Sequence, residues 1–217
     1  MVKRLGTAGR HAPLILANLI LANIIFGISA ISAGSDGDWA NVALLVSLFF
    51  ASLVPLVVER RFRVMIPVAL QLLYAVLLIG GPYWGNYLHF YTVVTPWDMI
   101  IHFYSGFVIT LASVYFLVVT EQRYDLALPP WFEMVVVLSV HGFVALLWEV
   151  AEFTVDATIG TSAQLGNYDT MTDMIVGTVA SFIVVVGFIL LRRRGWFRWL
   201  DLFLPEGNPG LMGLRED

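Results

Sequence analysis

Five carboxylates stand out in this sequence because they lie at the ends of two very apolar stretches. Glu149, Glu152 and Asp156 close one stretch, and Asp169 and Asp173 open the next, with a polar loop between them. No Lys or Arg lies near them in the sequence. A carboxylate in hydrocarbon is costly, and such residues are rare, inward-facing and usually functional. This region therefore requires a cation, a proton or water.

A further pair of candidate residues lies in the preceding apolar stretch. Asp98 and His102 are four residues apart, so they share one helical face. With a helical rise of about 1.5 Å per residue, His102 and Asp173 lie roughly 6 to 7 Å inside the boundary, Glu152 about 9 Å and Glu149 about 13 Å. Three helices are thus predicted to bring acids and one imidazole into a single layer.

This combination of side chains predicts a divalent-metal site. Imidazole and carboxylate ligands suit zinc, iron or manganese, and a metal would neutralise the acids. The predicted ligands are His102, Glu149, Asp169, Asp173 and Asp98. Glu149 or Glu152 would act as the general base. The alternative is that the acids share protons, as in proton relays.

Structural roles compete with these assignments. Asp98, Asp156 and Asp169 lie at predicted helix ends, where they would be ordinary boundary residues. Asp98 and Asp169 are at helix N-termini, which capping and the helix dipole favour for an acid. His141 points about 80° away from Glu149 on the same helix, so we expect a hydrogen-bonded packing residue. Asn18, Asn23 and Gln71 are predicted to form hydrogen bonds between helices.

The composition is that of a membrane protein. Of 217 residues, 59% are hydrophobic and 13% are charged, and the mean hydropathy is +0.82, whereas soluble domains are about 25% charged. The absence of Cys excludes disulfides and thiolate metal sites. The basic residues form short clusters beside apolar runs, so nucleic acid is not an expected partner; the lipid bilayer is.

The apolar pattern predicts an all-α bundle of six transmembrane helices. Each run is long enough to cross about 30 Å of hydrocarbon. The runs cover residues 13–33, 39–58, 64–84, 97–120, 131–158 and 169–191. The first is longer than the core of a secretory signal, so we expect a retained helix. In the third, Gly80-Gly81-Pro82 predicts a helix end.

The basic residues predict the orientation. All twelve Lys and Arg fall before the first run, between the second and third, between the fourth and fifth, or after the sixth. The positive-inside rule therefore predicts that both termini are cytoplasmic in a multi-pass protein of the inner (cytoplasmic) membrane. The carboxylate layer would then face outwards.

Two segments are predicted to lie along the membrane rather than across it. Residues 85–96 are too short to span and would lie at the outer interface, as a lid over the site. After the transmembrane domain of residues 1–194, residues 195–217 would form a cytoplasmic interfacial helix and a tail. The helix is suggested by Trp196, Trp199, Leu200 and Phe203, at i, i+3, i+4 and i+7.

The motifs of the last four spans resemble a known family. They are D-x-x-x-H-F-x-x-G from Asp98, W-E-x-x-E from Trp148 and D-T-x-x-D-M from Asp169, and they are similar to those of the YjdF-like family of inner-membrane proteins. That resemblance implies one site containing Asp98, His102, Glu149, Glu152, Asp169 and Asp173 and implies no activity. More distantly the pattern resembles VanZ-like membrane proteins, which usually have Asn where Asp173 stands here.

Three functions follow from this pattern. The first is a metal-dependent hydrolase acting on a lipid head group or another small molecule of the cell envelope. The second is a transporter or channel-like protein in which the same acids bind a cation or proton. The third is a structural subunit whose carboxylates contact a partner.

Overall fold

The computed structural model describes residues 12–160 and 163–205, except the side chains of residues 12–18 and Arg192. In this part of the chain all regular structure is helical, so the all-α prediction is confirmed. The helices are α1 (Ala12–Ser35), α2 (Trp39–Ser52), α3 (Val54–Phe62), α4 (Val68–Leu78), a π-helix (Ile79–Tyr87), α5 (Phe90–Val93), α6 (Trp97–Tyr124), α7 (Pro130–Ile159), α8 (Asn167–Arg194) and a 3₁₀-helix (Arg198–Phe203).

Among the described residues, five helical segments are long and apolar enough to cross a membrane. They are Trp39–Phe62, Val68–Tyr87, Trp97–Tyr124, Pro130–Ile159 and Asn167–Leu191. They match the last five predicted spans. The remaining predicted span falls on α1, of which the apolar part with described side chains is Leu19–Ser35. The sixth span and the orientation of the termini stay predictions, and Lys3, Arg4, Arg10 and the tail lie outside the described residues.

The helix end predicted at Gly80-Gly81-Pro82 is wrong. The helix continues as a π-helix to Tyr87, with Pro82 inside it. Proline cannot donate the usual backbone hydrogen bond, and a single turn of wider π-helix can absorb such an interruption. The carbonyl oxygen of Gly80 accepts a hydrogen bond from Trp97 Nε1 at 2.9 Å. Tertiary contacts of this kind cannot be predicted from the local sequence.

The described chain divides into two compact units, and the first contains residues 12–97. Phe26, Ala33, Leu45 and Leu48 form its buried core, between α1 and α2. Ser52 Oγ donates to Asn23 Oδ1 at 3.0 Å. Gln71 Nε2 donates to Glu59 Oε1 at 3.1 Å. The interhelical hydrogen bonds predicted for Asn23 and Gln71 are therefore confirmed; the side chain of Asn18 lies outside the description.

The second unit contains α6, α7 and α8 and runs to Leu204. Its interior is closed around Leu111, Tyr115, Ala180 and Val184, which are all buried. The 3₁₀-helix packs on this unit: Leu200 and Phe203 are buried. The interfacial location of this segment and of residues 85–96 stays a prediction.

Candidate metal centre

Three of the predicted site residues meet at the beginning of α6 and α8. Asp98 lies in the first turn of α6, and His102 follows one turn later on the same face. His102 Nε2 lies 3.5 Å from Asp98 Oδ1 and 3.8 Å from Asp173 Oδ2 of α8. One ligand atom from each residue lies within 4.8 Å of the others. We call this group the Asp–His–Asp cluster.

Two glycines hold the helices of the cluster together. A Cβ atom on Gly106 of α6 would collide with the backbone carbonyl of Gly177 of α8. The two backbones are therefore in direct contact one turn beyond His102 and Asp173. One turn further, Thr110 Oγ1 forms hydrogen bonds with Ser181 Oγ at 2.8 Å and with the carbonyl oxygen of Gly106 at 2.6 Å. This close packing fixes the separation of the cluster's side chains.

The cluster extends from the surface of the unit into its interior. The exposed fraction of the side chain falls from 32% for Asp98 to 12% for His102 and 3% for Asp173. The sequence contains no Lys or Arg at residues 64–122 or 124–191. The negative charge of these acids must therefore be balanced by protons or by a cation, because buried charges are paired or bind metals.

The two glutamates of α7 lie close to the cluster but differ from each other. Glu149 is buried, with 5% exposed, and its Oε2 has no hydrogen-bond partner among the described residues. Glu152 is half-buried, and its Oε1 accepts a hydrogen bond from Trp148 Nε1 at 2.8 Å. Glu149 is close enough to interact electrostatically with Asp173, and Glu152 with His102. Glu149 thus has a carboxylate oxygen free to accept a proton.

Asp156 and Asp169 are engaged with the loop between α7 and α8. The carboxylate of Asp156 accepts the backbone N–H groups of Ala163 and Gln164, both at 2.8 Å. Asp169 Oδ2 accepts the N–H of Leu165 at 3.0 Å. These contacts order the loop and give both acids a structural role at helix ends. A metal-ligand role for Asp169 stays a prediction.

Two buried ionisable residues of α7 received no functional role from the sequence. His141 is 2% exposed, and neither Nδ1 nor Nε2 has a hydrogen-bond partner among the described residues. The hydrogen bond expected for it is therefore not formed with any residue that the structure describes. Glu133 is also buried. Its position at the first turn of α7 suggests a boundary residue, so helical periodicity alone gives no signal for its burial.

The Asp–His–Asp cluster fits a divalent cation. Metal–ligand distances of about 2.0 to 2.2 Å for nitrogen and oxygen place ligand atoms roughly 3 to 4 Å apart. The separations of 3.5 and 3.8 Å from His102 Nε2 agree with this spacing. Two carboxylates also balance the charge of one divalent ion. The same arrangement fits a protonated His102 between two carboxylates.

Sequence comparisons agree with a membrane protein. Residues 14–194 match the family described as "Predicted membrane protein (DUF2238)", which the YjdF-like resemblance fits. An uncharacterised protein from Thermotoga maritima is 31% identical over 146 residues, which cover 67% of this chain and 74% of the relative. No solved structure matches the chain. The VanZ-like resemblance stays a prediction. This chain therefore belongs to the DUF2238 family of predicted membrane proteins.

Proposed function

We propose that this membrane protein binds one divalent cation at Asp98, His102 and Asp173 and uses it for hydrolysis. The observation that supports this proposal is the meeting of three ligand atoms within 4.8 Å. These residues come from two helices that touch through Gly106 and Gly177. A preorganised ligand set of this kind is what a catalytic metal site requires.

A charge argument favours a metal over a chance cluster. Asp173 is almost fully buried in a helix that meets the criteria for a membrane span. A buried charge that has no oppositely charged partner strongly destabilises a protein. The sequence supplies no Lys or Arg within these helices from Trp97 to Gln122 or from Pro130 to Leu191. Zinc, iron or manganese would satisfy both carboxylates and the imidazole together.

The remaining acids have distinct roles in this proposal. A bound divalent ion would polarise a carbonyl or phosphoryl oxygen and make water more acidic. Glu149 is the general base, because its Oε2 has no hydrogen-bond partner among the described residues. Glu152 is oriented by the indole N–H of Trp148 and adds negative charge that attracts the cation. Asp156 and Asp169 order the loop beside the site.

The substrate class follows from the predicted orientation. If both termini are cytoplasmic, the cluster opens towards the outer leaflet of the inner membrane. The substrate is then a lipid head group or a small envelope molecule that reaches this surface. Phosphate esters are the favoured chemistry, because a divalent ion stabilises their negative charge.

Metal analysis of purified protein tests this proposal. We expect about one equivalent of zinc, iron or manganese in the parent and none in His102→Ala or Asp173→Asn, because each removes a ligand. Asp156→Asn is the matched control and keeps its metal, since its carboxylate serves the loop. Hydrolysis of a panel of lipids with phosphate monoester or diester head groups, measured by the release of phosphate or of the head-group alcohol or phosphoalcohol, should require the metal and Glu149. A correctly folded parent that binds no divalent metal contradicts the proposal.

A transporter of cations or protons is the second candidate. Transport is favoured by two buried ionisable residues, His141 and Glu133, which lie further along α7 from the cluster. In liposomes with an imposed ion or pH gradient, a flux that depends on Asp173 and His141 would favour transport. Metal-dependent hydrolysis without flux would favour the enzyme.

A further inference from the structure

Two buried residues near the Asp–His–Asp cluster, His141 and Glu149, have polar atoms without a partner in the described part of the chain. Both ring nitrogens of His141 and Oε2 of Glu149 form no hydrogen bond with the described residues. Both residues are more than nine-tenths buried. They lie on α7 eight residues apart, with Ala145 one turn from each. Buried side chains of this kind almost always have a hydrogen-bond partner, either protein or ordered water.

The His141 ring lies directly beside the cluster. A Cβ atom on Gly177 would be 3.3 Å from Cε1 and 3.5 Å from Nε2 of His141. The same position is 3.3 Å from the carbonyl oxygen of His102. Gly177 itself follows Asp173 by one helical turn. The His141 ring and the carbonyl oxygen of His102 therefore both adjoin Gly177, one turn beyond Asp173.

Next to His141 the interior is closed by a tightly packed layer. Thr110 and Ser181, one turn past Gly106 and Gly177, are fully buried and hydrogen-bonded to each other. They are followed by Leu111 and Tyr115, whose side chains have no exposed surface. A polar region that begins at the cluster therefore ends at this layer.

We propose that the interior between α6, α7 and α8 contains a blind chamber of water, which opens at the Asp–His–Asp cluster and ends at His141. The ligand of the chamber is water, bound by His141 and by the free oxygen of Glu149. Buried water typically forms about three hydrogen bonds to polar groups that otherwise lack partners. This inference does not depend on a bound metal. It goes beyond the proposed function by assigning a reservoir of reactant water and a closed inner end.

Single-cysteine labelling tests the chamber, because the natural chain contains no Cys. His141→Cys and Ala145→Cys are treated with a charged methanethiosulfonate reagent, which reacts with thiols in contact with water. We expect both positions to react. Val137→Cys is the matched control for His141→Cys: Val137 is on the same helix and is as buried as His141, at 3% against 2% exposed, but lies one turn beyond it. It should react at least tenfold more slowly.

The direction of access tests whether the chamber is blind. In intact cells, reagent that reaches Ala163→Cys in the α7–α8 loop should also reach Ala145→Cys. Reagent that has access only to Leu126→Cys, in the α6–α7 loop, should not label Ala145→Cys. Ala145→Cys is a small change, so it serves even if His141→Cys does not fold. The inference is overturned if folded Ala145→Cys is unreactive, if Val137→Cys reacts as fast, or if access comes from the Leu126 side.

Discussion

The two units of this protein differ in how the polar side chains in their interiors are hydrogen-bonded. In the first unit, polar side chains pair with each other: Ser29 Oγ and Tyr83 Oη are 3.0 Å apart, and Ser52 donates to Asn23. In the second unit, Asp173, His141 and Glu149 are buried, yet His141 and Oε2 of Glu149 have no hydrogen-bond partner among the described residues. Hydrogen bonds stabilise the first unit, whereas the second retains polar groups that still need a ligand.

This difference separates scaffold from site. A hydrogen bond between membrane helices contributes about 0.6 kcal/mol on average, so pairs such as Ser29 and Tyr83 add modest stability. Ionisable groups in a membrane helix cost several times more and persist where they function. The second unit offsets that cost through close helix packing at Gly106 and Gly177. Substitutions in the second unit should therefore affect both cation binding and stability, whereas substitutions in the first unit should affect stability alone.

The largest expected effect is loss of the cation from the second unit. Asp173→Asn removes a charged ligand of the Asp–His–Asp cluster, and we expect affinity for zinc or manganese to fall more than about 100-fold, because loss of an outer-shell residue alone costs 10- to 100-fold. Calorimetric titration of the purified protein measures this change. Asp156→Asn should alter affinity little. Equal effects of the two substitutions would contradict the distinction between site and loop acids.

The next effect is on packing beneath the cluster. Gly106→Ala places a Cβ atom against the Gly177 carbonyl, and overpacking of this kind typically destabilises a protein by about 1 to 3 kcal/mol. The midpoint of thermal unfolding in detergent should fall by several degrees. Gly142→Ala is the control, since no atom lies within 4 Å of the new group. Unchanged stability of Gly106→Ala would show that the helices are not in backbone contact.

A smaller effect is expected in the first unit. Tyr83→Phe removes the hydroxyl that pairs with Ser29 and should reduce stability by roughly 0.6 to 1.7 kcal/mol. Cation affinity should remain that of the parent. Thermal unfolding and titration of the same preparation check both expectations. A large loss of cation affinity in this variant would argue against a scaffold role for the first unit.

The smallest effect concerns Asp38, which caps α2. The backbone N–H and the side chain of Asn41 donate to its carboxylate, and these bonds hold the pKa of Asp38 below its ordinary value. Because the folded pKa is the lower one, the stabilisation is complete above about pH 5 and is lost as the pH falls below about 4. The difference in unfolding midpoint between the parent and Asp38→Asn, which caps without titrating, should shrink over this interval. A difference independent of pH would contradict this assignment.

The sequence predicts the helices well because the length of an apolar run is a local property. The predicted starts at residues 97 and 131 and the predicted end at residue 158 lie within one residue of the observed Trp97, Pro130 and Ile159. The π-helix is not predicted, because the local residues Gly80-Gly81-Pro82 indicate a helix end. The hydrogen bond between Gly80 and Trp97 joins residues seventeen positions apart and gives no local signal.

The candidate site was predictable in part for the same reason. The spacing of Asp98 and His102 places them on one face, and the charge of Asp173 in an apolar run makes it conspicuous. Periodicity could not assign His141, because α7 is apolar on nearly every side and the burial of one face depends on its neighbours. Nor could it show that Asp156 and Asp169 bind loop N–H groups, since these contacts depend on the loop conformation.

Anomalous diffraction from crystals grown with zinc or manganese tests the central claim most directly. The account predicts one strong peak at the absorption edge of the metal, about 2.0 to 2.2 Å from His102 Nε2 and from carboxylate oxygens of Asp98 and Asp173. It also predicts that the peak disappears in Asp173→Asn. A well-ordered structure with these three side chains and no peak among them would contradict the account.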